Sequence, residues 1–369
     1  MFQPGLESFL NDKSLGSAKI NLAVVSNHTG RDKNGVHLIN RIVNDKRFCL
    51  KKVFSPEHGF NSTVQDGVLV SDSKLNDLNL KVISLYGATK KPSVEMLQGL
   101  DLIVYDIQDV GVRFYTYIST LRNVMETASE AKVPFAVLER PNILGHVIEG
   151  PMLEEGYDSF VSHLPVYLRY GMTSSELAVW IKKHYKLTNE LLIYKCSDYD
   201  KSMIFNSLDF PWFKPSPNMP DVETAMLYPA TCFFEGTQVS EGRGTDAPFK
   251  KIGAPWINAN LWLEALKPFL PAYVKARTCQ FTPVTNKYQK QLCNGIHIKL
   301  TTETHIPIVT LGFAMLYSLI KTHPGKVIFE GRSNLEKPFI DYLAGTNKVR
   351  KALEEGQLPA YLPISQDCR

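Results

Sequence analysis

A rigid tetrapeptide, Pro56-Glu57-His58-Gly59, is the sharpest candidate for chemistry in this sequence. Pro56 restricts the backbone before Glu57, and Gly59 permits a tight turn just after it. A carboxyl group held in this way could donate a proton if burial raised its pKa, and His58 could assist it. The alternative is that Glu57 caps a following turn and that His58 only packs against its neighbours.

A second cluster, residues 105–117, combines two acids, an arginine and three tyrosines. Aromatic faces alternating with hydrogen-bonding side chains suit a sugar, whose ring faces are apolar and whose hydroxyls need donors and acceptors. Arg113 could hold a substrate carboxylate with two parallel hydrogen bonds, or it could form a structural ion pair with Asp106 or Asp109. Asp109 is a candidate catalytic carboxylate. The candidate sugar contacts in this cluster are Asp106, Arg113, Tyr115 and Tyr117.

The third cluster, residues 233–246, places Glu235, Glu241 and Arg243 among three glycines. It resembles a phosphate-binding loop only superficially, because the Lys-Ser/Thr ending is missing and two carboxylates would repel phosphate. Glu235 and Glu241 are candidate catalytic carboxylates. Arg243 is slightly preferred to Arg113 as the partner of a substrate carboxylate, if the substrate carries one, because the glycines on both sides let the backbone approach a ligand closely.

Further polar candidates for substrate binding lie beside Gly or Pro, a setting that indicates fixed geometry rather than a solvated surface. They are Asn27 in Ser26-Asn27-His28-Thr29-Gly30, Glu139 and Arg140 in Glu139-Arg140-Pro141-Asn142, and Asn218 in Pro215-Ser216-Pro217-Asn218.

The elements that must position these residues alternate between strand and helix over the first 140 residues. The predicted strands are Ile20–Val25, Cys49–Phe54, Lys81–Leu85, Leu102–Tyr105 and Pro134–Leu138, and the predicted helices are Val36–Val43, Ser93–Leu100 and Tyr117–Ala131. Near-continuous apolar strands need cover on both faces, so we predict an α/β fold with a Rossmann-like parallel-sheet domain over residues 1–149. Ligands bind beyond the carboxyl ends of such strands, where most of the candidate residues lie.

A second α/β (α+β) domain is predicted over residues 150–369. Thr173-Ser174-Ser175-Glu176 is a capping box that opens a helix through about Lys186, and Leu191–Cys196 has the pattern of a strand. The segment 210–256 is dense in Pro, Gly and aromatic residues, which predicts long ordered loops with little regular structure. The remaining predictions are a strand at Gly295–Leu300 and helices at Leu261–Phe269, Val309–Lys321 and Lys348–Glu355.

Composition excludes several function classes. The chain has 369 residues, 44% of them hydrophobic, and a net charge of +4, which fits a globular enzyme and gives no argument for nucleic acid as a partner. No window approaches the ~18 to 20 apolar residues of a membrane span, and no export signal is visible at the N-terminus as written. We therefore expect a cytoplasmic protein, or a periplasmic or secreted one if the N-terminus has been trimmed.

Cofactor and metal motifs are missing from the sequence. It contains no G-x-G-x-x-G after the first predicted strand, no H-E-x-x-H, no G-x-S-x-G and no Cys or His spacing for zinc. We therefore expect no metal and no cofactor. The competing hypothesis is a divalent-metal site formed by Asp106, Asp109 and His58. Most of the cysteines are expected to be ordinary buried residues. They are Cys49, Cys196, Cys232, Cys279, Cys293 and Cys368.

Taken in order, these motifs resemble the bacterial exo-β-N-acetylmuramidase family, long catalogued as a domain of unknown function. The likeness runs from Gly5 to about Gly356. The segments that carry it are Ser55–Phe60, Asp106–Gly111 with Arg113–Tyr117, Pro215–Pro220, and Phe234–Thr237 with Ser240–Thr245.

The resemblance implies a glycoside hydrolase that removes N-acetylmuramic acid from the non-reducing end of peptidoglycan fragments. It also implies that the two domains face each other across an active-site cleft. N-acetylmuramic acid carries a lactyl carboxylate, for which Arg113, Arg140 and Arg243 are the candidate partners. The expected partner is thus a sugar or a peptidoglycan fragment, and no oligomeric state is predicted.

Two function classes stay open at this stage, a glycosidase and a non-catalytic binder of muropeptides or other amino sugars, with an acyl or phosphoryl transferase as a weaker third. Glycoside cleavage needs a proton donor and a nucleophile, base or substrate acetamide, whereas binding needs neither. We expect Glu57 to be the general acid. Asp109, Glu235, Glu241 or the acetamide could supply the second group, so the sequence predicts neither retention nor inversion.

Overall fold

The protein folds into two compact units, which we call the first and second units. The first comprises Met1–Gly111, Tyr115–Gly145 and Met172–Pro217, and the second comprises Val112–Phe114, His146–Gly171 and the chain from Asn218 onward. The structure is a computed structural model that describes residues 1–15, 19–61, 63–64, 68–75, 80–332, 335–361 and 363.

The elements are numbered along the chain. The strands are β1 (Ile20–Ser26), β2 (Phe48–Ser55), β3 (Ser73–Leu75), β4 (Leu80–Ser84), β5 (Leu102–Asp106), β6 (Phe135–Leu138), β7 (Ile148–Met152), β8 (Tyr167–Tyr170), β9 (Leu191–Tyr194), β10 (Lys251–Ala254), β11 (Val274–Phe281) and β12 (Cys293–Leu300). The α-helices are α1 (Gly5–Leu10), α2 (Leu38–Val43), α3 (Val94–Leu97), α4 (Tyr117–Glu130), α5 (Ser174–His184), α6 (Val222–Thr231), α7 (Ala259–Leu266), α8 (Val309–Thr322), α9 (Phe339–Ala344) and α10 (Lys348–Glu354).

The first unit is built on a seven-stranded sheet in the order β3-β4-β2-β1-β5-β6-β9. All neighbours pair in parallel except β3, which runs antiparallel to β4 at the edge. Strand β1 lies between β2 and β5, so the chain first builds the sheet outward on one side of β1 and then crosses to the other side. Ligands bind at this kind of reversal in open α/β sheets, just beyond the carboxyl ends of the two central strands.

Burial explains why these strands are apolar on both faces. Leu22 and Val24 of β1 pack in a core with Leu6 and Phe9 of α1, and all four are fully buried. Ala23 of β1 points to the opposite face, because side chains alternate along a strand, and it is also fully buried. This double cover confirms the α/β, parallel-sheet prediction.

The second unit has an antiparallel sheet in the order β10-β12-β11 and a β7-β8 hairpin. Helix α7 packs on β11 and β12, and α8 packs on α6 and α7. Trp262 of α7 is fully buried, and its indole N–H lies 3.1 Å from both the carbonyl oxygen of Met315 and the hydroxyl of Ser318 on α8. No helix in the described part of the chain is both long enough and apolar enough to cross a membrane.

The predicted strands and helices of the first 140 residues are all present, with ends that differ by a few residues. Helix α2 begins at Leu38 rather than Val36, because the ring of His37 accepts the N–H of Ile39 and caps the helix there. The capping box at Thr173 forms as predicted. The sequence did not predict α1, β3, β7, β8, β11 or α9.

Two predictions about the later chain need correction. The segment 210–256 holds helix α6, which begins where the Asp221 side chain accepts the N–H of Thr224, and strand β10. Strand β9, assigned to the second domain from the sequence, pairs in parallel with β6 in the first unit. The two units therefore differ from a division at a single boundary after residue 149.

The cysteines are less buried than expected. Of the five in the described ranges, Cys232 and Cys293 are buried, whereas Cys49, Cys196 and Cys279 are partly exposed. The sixth, Cys368, lies outside the described residues.

Candidate functional site

The carboxyl edge of the first unit's sheet gathers most of the predicted site residues. Asn27 follows β1, Glu57 and His58 follow β2, and Asp106 ends β5 next to Ser26 of β1. Because β1 and β5 are the strands at which the sheet order reverses, this edge is where a ligand is expected.

Glu57 is almost completely buried, with 6% of its surface exposed. The hydroxyl of Thr116, the residue just before helix α4, donates to its Oε2 at 2.5 Å. This contact joins the end of β2 to the start of α4 and restricts how the carboxyl group can turn.

His58 is placed beside Glu57 by an unusual backbone. Its φ of 69° lies in the left-handed region, which non-glycine residues rarely adopt. Its ring Nδ1 lies 2.8 Å from the carbonyl oxygen of Val64, and since a carbonyl can only accept, Nδ1 carries the hydrogen. The ring also meets Tyr117 edge-on at 6.5 Å between centroids.

Tyr117 joins three segments of this edge. The side-chain amide of Asn27 donates to its hydroxyl at 3.0 Å, and that hydroxyl donates to the carbonyl of Pro215. The ring of Tyr115 packs edge-on against Tyr117 at 4.8 Å. Burial raises the pKa of the Tyr115 hydroxyl, which stays protonated at neutral pH. Asn27, Tyr115 and Tyr117 are therefore brought together as the sequence predicted.

Asp106 and Arg140 form a buried two-bond ion pair at the base of this edge. The Nε and Nη2 of Arg140 donate to the two carboxylate oxygens at 2.6 and 2.7 Å, and both side chains are at most 1% exposed. The Nη1 of Arg140 donates to the carbonyl of Arg31 at 2.6 Å. The pair holds the ends of β5 and β6 together, which favours a structural role for both residues over contact with a sugar.

Asp109 sits at a turn that requires glycine two residues later. Its Oδ2 accepts the backbone N–H of Gly111 at 2.8 Å. Gly111 has a φ of 95°, and a Cβ added there would lie 2.1 Å from Oδ1 of Asn142. Asp109 is 9% exposed, so a carboxylate at this edge is held on a backbone that tolerates no side chain at residue 111.

The Glu139 carboxylate accepts hydrogen bonds from residues at the start of helix α5. The donors are the hydroxyls of Thr173 and Ser175 and, in addition, the N–H of Cys196. These three donors fix the carboxylate in place. The contacts favour a structural role for Glu139 over the predicted contact with substrate.

Arg113 belongs to the second unit and lies far from solvent. Its guanidinium donates to the hydroxyl of Ser162 and to the carbonyl oxygens of Pro151, Val166, Leu343 and Ala344. No carboxylate is among these partners, and burial lowers the pKa of the Arg113 guanidinium to about 9. Neither the predicted ion pair nor a bond to a substrate carboxylate is favoured by this arrangement.

Glu235, Glu241 and Arg243 do come together in the second unit. Arg243 lies 2.8 Å from Oε1 of Glu235 and 3.1 Å from Oε1 of Glu241, and its guanidinium stacks on the ring of Phe249. Each carboxylate has a second cation, at 3.1 Å in both cases: Arg332 for Glu235 and Lys287 for Glu241. Asn218 is buried in the same unit.

The thiol of Cys232 adds a neutral donor to this cluster. Burial raises the pKa of the thiol, so it stays protonated, and its Sγ lies 3.4 Å from Oε1 of Glu235. Three cations, Arg243, Arg332 and Lys287, therefore surround the carboxylates of Glu235 and Glu241, and positive neighbours suit a base or a nucleophile better than a proton donor.

Sequence reasoning missed three residues that contact the predicted ones: Thr116, Lys287 and Arg332. Arg332 and Lys287 are distant in sequence from Glu235 and Glu241, so no spacing could indicate them. Thr116 lay inside the second cluster and directly before a predicted helix, and its hydroxyl reads as an ordinary helix cap. In the described ranges, no three His, Cys, Asp or Glu side chains are grouped so that they could hold a metal ion.

Comparisons with known proteins give consistent matches along the chain. Residues 22–223 match the family model for the N-terminal part of exo-beta-N-acetylmuramidase NamZ, and residues 226–364 match the model for its C-terminal part. The peptidoglycan beta-N-acetylmuramidase NamZ of Bacillus subtilis (strain 168) is 37% identical over 357 residues, which cover 96% of this chain and 84% of that protein.

Two solved structures of DUF1343 family proteins from Bacteroides fragilis NCTC 9343 are also similar, each at 28% sequence identity. One has a TM-score of 0.86 and covers 96% of this chain and 91% of its own. The other has a TM-score of 0.75 and covers 97% and 92%.

The contacts of Arg113 predict that Arg113→Lys is destabilising. A lysine has three N–H donors in place of five, so at least two of the five buried acceptor oxygens lose their hydrogen bond to residue 113, at ~1 to 3 kcal/mol each. We expect the free energy of unfolding in urea to fall by about 2 kcal/mol or more. The same substitution at the exposed Arg277 should cost less than ~0.5 kcal/mol. Equal stability of the two variants would contradict the structural role of Arg113.

Proposed function

The chain belongs to the exo-β-N-acetylmuramidase NamZ family, and we propose that Glu57 is the general acid with which it cleaves the glycosidic bond. The protein is a glycosidase, an exo-β-N-acetylmuramidase, and its substrate is peptidoglycan. The finer proposal is that it releases N-acetylmuramic acid from the non-reducing end of peptidoglycan fragments, in turnover or recycling of the cell wall.

The observation that carries the assignment of Glu57 is a buried carboxyl group at the carboxyl edge of β2 that accepts the hydroxyl of Thr116 at the start of α4. Two other acids at this edge are engaged elsewhere: Asp106 pairs with Arg140, and Glu139 accepts three hydrogen bonds beside α5. In the proposed step, the Glu57 carboxyl gives its proton to the glycosidic oxygen as the bond from that oxygen to the anomeric carbon breaks.

The second group that the reaction needs is proposed to be a carboxylate or the acetamide of the substrate. The candidate carboxylates are Asp109, Glu235 and Glu241. Three cations lie against Glu235 and Glu241, and positive neighbours of this kind suit a carboxylate that acts as a nucleophile or base. The anomeric configuration of the first product, read by NMR before it equilibrates, separates inversion from retention, and a retaining result includes the acetamide route.

Arg243 is the proposed partner of the lactyl carboxylate. The donors of Arg113 and Arg140 are committed to buried acceptors, so neither can turn to a ligand without leaving those acceptors unpaired. Arg243 instead shares a cluster of three cations and two carboxylates, which has an excess of one positive charge. One further carboxylate would balance that charge.

We expect Glu57→Gln to keep the fold and the affinity for the sugar while kcat falls by roughly 10²-fold or more, because the amide cannot donate the proton. Release of the chromophore from a chromogenic β-N-acetylmuraminide measures this. The matched control is Glu126→Gln on α4, whose carboxylate pairs with Arg122 and Lys91 outside the candidate site. Near-native turnover in Glu57→Gln would remove Glu57 from the mechanism.

The Arg243 proposal predicts a preference for muraminides over the matching glucosaminides, which lack the lactyl group. In Arg243→Lys the ratio of the two kcat/KM values should fall by about tenfold, since a lysine loses the planar two-bond geometry. Arg277→Lys should leave the ratio unchanged. If the wild-type protein has equal kcat/KM values for the two substrates, or if Arg243→Lys lowers both values to the same extent, Arg243 does not bind the lactyl group.

Activity is expected to survive exhaustive dialysis against EDTA and to need no added cofactor. The competing metal hypothesis used Asp106, whose carboxylate is instead bound by both arms of Arg140. The measurement is the muraminide assay before and after chelation, with a zinc-dependent hydrolase treated in parallel. Loss of activity that one added divalent metal restores would overturn the expectation.

A further inference from the structure

We propose that Thr116 is a positioning residue that orients the Glu57 carboxyl group for proton transfer. The proposal rests on the assignment of Glu57 as the general acid and adds a second residue to that step. Its basis is the 2.5 Å hydrogen bond from the Thr116 hydroxyl to Oε2 of Glu57, between two side chains that are each 6% exposed.

The hydroxyl of Thr116 does not make the hydrogen bond that is usual for its position at the start of a helix. Thr116 is the N-cap residue of α4, where a threonine normally accepts a backbone N–H from the first turn. It makes no such bond, and its φ of −67° and ψ of −8° are helical rather than extended. By contrast, Thr173, the N-cap of α5, accepts the N–H of Glu176.

The missing cap has a cost, because α4 has 14 residues and is the longest helix among those described in the first unit. A side-chain cap stabilises a helix, and α4 lacks this stabilisation because its N-cap hydroxyl donates to a carboxyl group instead. Local rules of this kind are broken most often at functional sites.

The backbone around Thr116 is fixed well enough to orient another group. The next residue, Tyr117, is held through its hydroxyl by Asn27 and the Pro215 carbonyl, and its backbone carbonyl accepts the hydroxyl of Tyr105 at 3.1 Å. The Thr116 hydroxyl therefore projects from a start of α4 that is tied to the ends of β1 and β5.

Such a bond acts on the final torsion of the glutamate side chain. That torsion is broad in carboxyl groups, so without a partner the plane of the carboxyl would rotate over a wide range. Holding Oε2 sets the plane in which the acidic proton approaches the glycosidic oxygen. Misplacement of a catalytic group by about 1 Å can lower a rate by up to ~10²-fold.

The test uses two threonines on one helix. Thr116→Val removes the hydroxyl that bonds Glu57, and Thr120→Val removes one that is fully buried and has no hydrogen-bond partner in the described part of the chain. We expect Thr116→Val to lower kcat by about tenfold or more with KM unchanged, and Thr116→Ser to restore most of kcat. Thr120→Val should keep the wild-type kcat. If Thr116→Val does not fold, Thr116→Ala replaces it with the same expectation.

A double variant separates this proposal from the assignment of Glu57. If Glu57 is the acid and Thr116 acts through it, Thr116→Val should cause no further loss of kcat in the Glu57→Gln protein. Wild-type kcat in Thr116→Val, a full further loss in the double variant, or failure of serine to restore kcat overturns the role of Thr116. High activity in Glu57→Gln alone overturns the assignment of Glu57 instead.

Discussion

The first unit depends on one buried ion pair at the reversal of its sheet. Asp106 ends β5, and Arg140 follows β6 and reaches back to it with two hydrogen bonds, while a third bond goes to the carbonyl of Arg31 in the loop after β1. The hydroxyl of Ser26 also donates to the Asp106 carbonyl at 2.7 Å. Three strand ends are thereby fixed relative to one another, at the cost of removing two charges from water.

Because the Asp106–Arg140 pair fixes these strand ends, the polar side chains that follow them are held in defined positions. Asn27, Tyr117, Thr116 and Glu57 form contacts that run from the end of β1 through the start of α4 to the end of β2. All four side chains are buried. Because an unpaired polar group costs much free energy in a buried environment, each of these hydrogen bonds is strongly maintained. For the same reason, substitutions at this edge are expected to destabilise the protein, and the side chains there can orient a bound group precisely.

The parallel sheet, its strands and the grouping of Asn27, Glu57 and Tyr117 could be predicted, because apolar runs and strand ends are local signals. The hydrogen-bond and ion-pair partners of the individual acids could not be predicted. Glu57, Glu139 and Glu235 are the same residue type beside Gly, Pro or Arg, yet Glu57 accepts a threonine hydroxyl, Glu139 accepts the hydroxyl of the N-cap residue of α5, and Glu235 pairs with two arginines. Those partners lie 8 to 97 residues away in the chain, and only packing selects them.

For both Arg113 and Thr116, the residue type and its sequence neighbours suggest a role that differs from the contacts the side chain makes. An arginine among acids and tyrosines suggests ligand binding, but Arg113 donates to backbone carbonyls, among them that of Ala344 at the end of α9. A threonine before a helix suggests a cap, but Thr116 leaves the helix uncapped and serves a carboxyl group. In the first case a backbone requirement overrides a side-chain pattern. In the second, a side-chain contact overrides a backbone requirement, and that second kind of exception is the one that marks a working site.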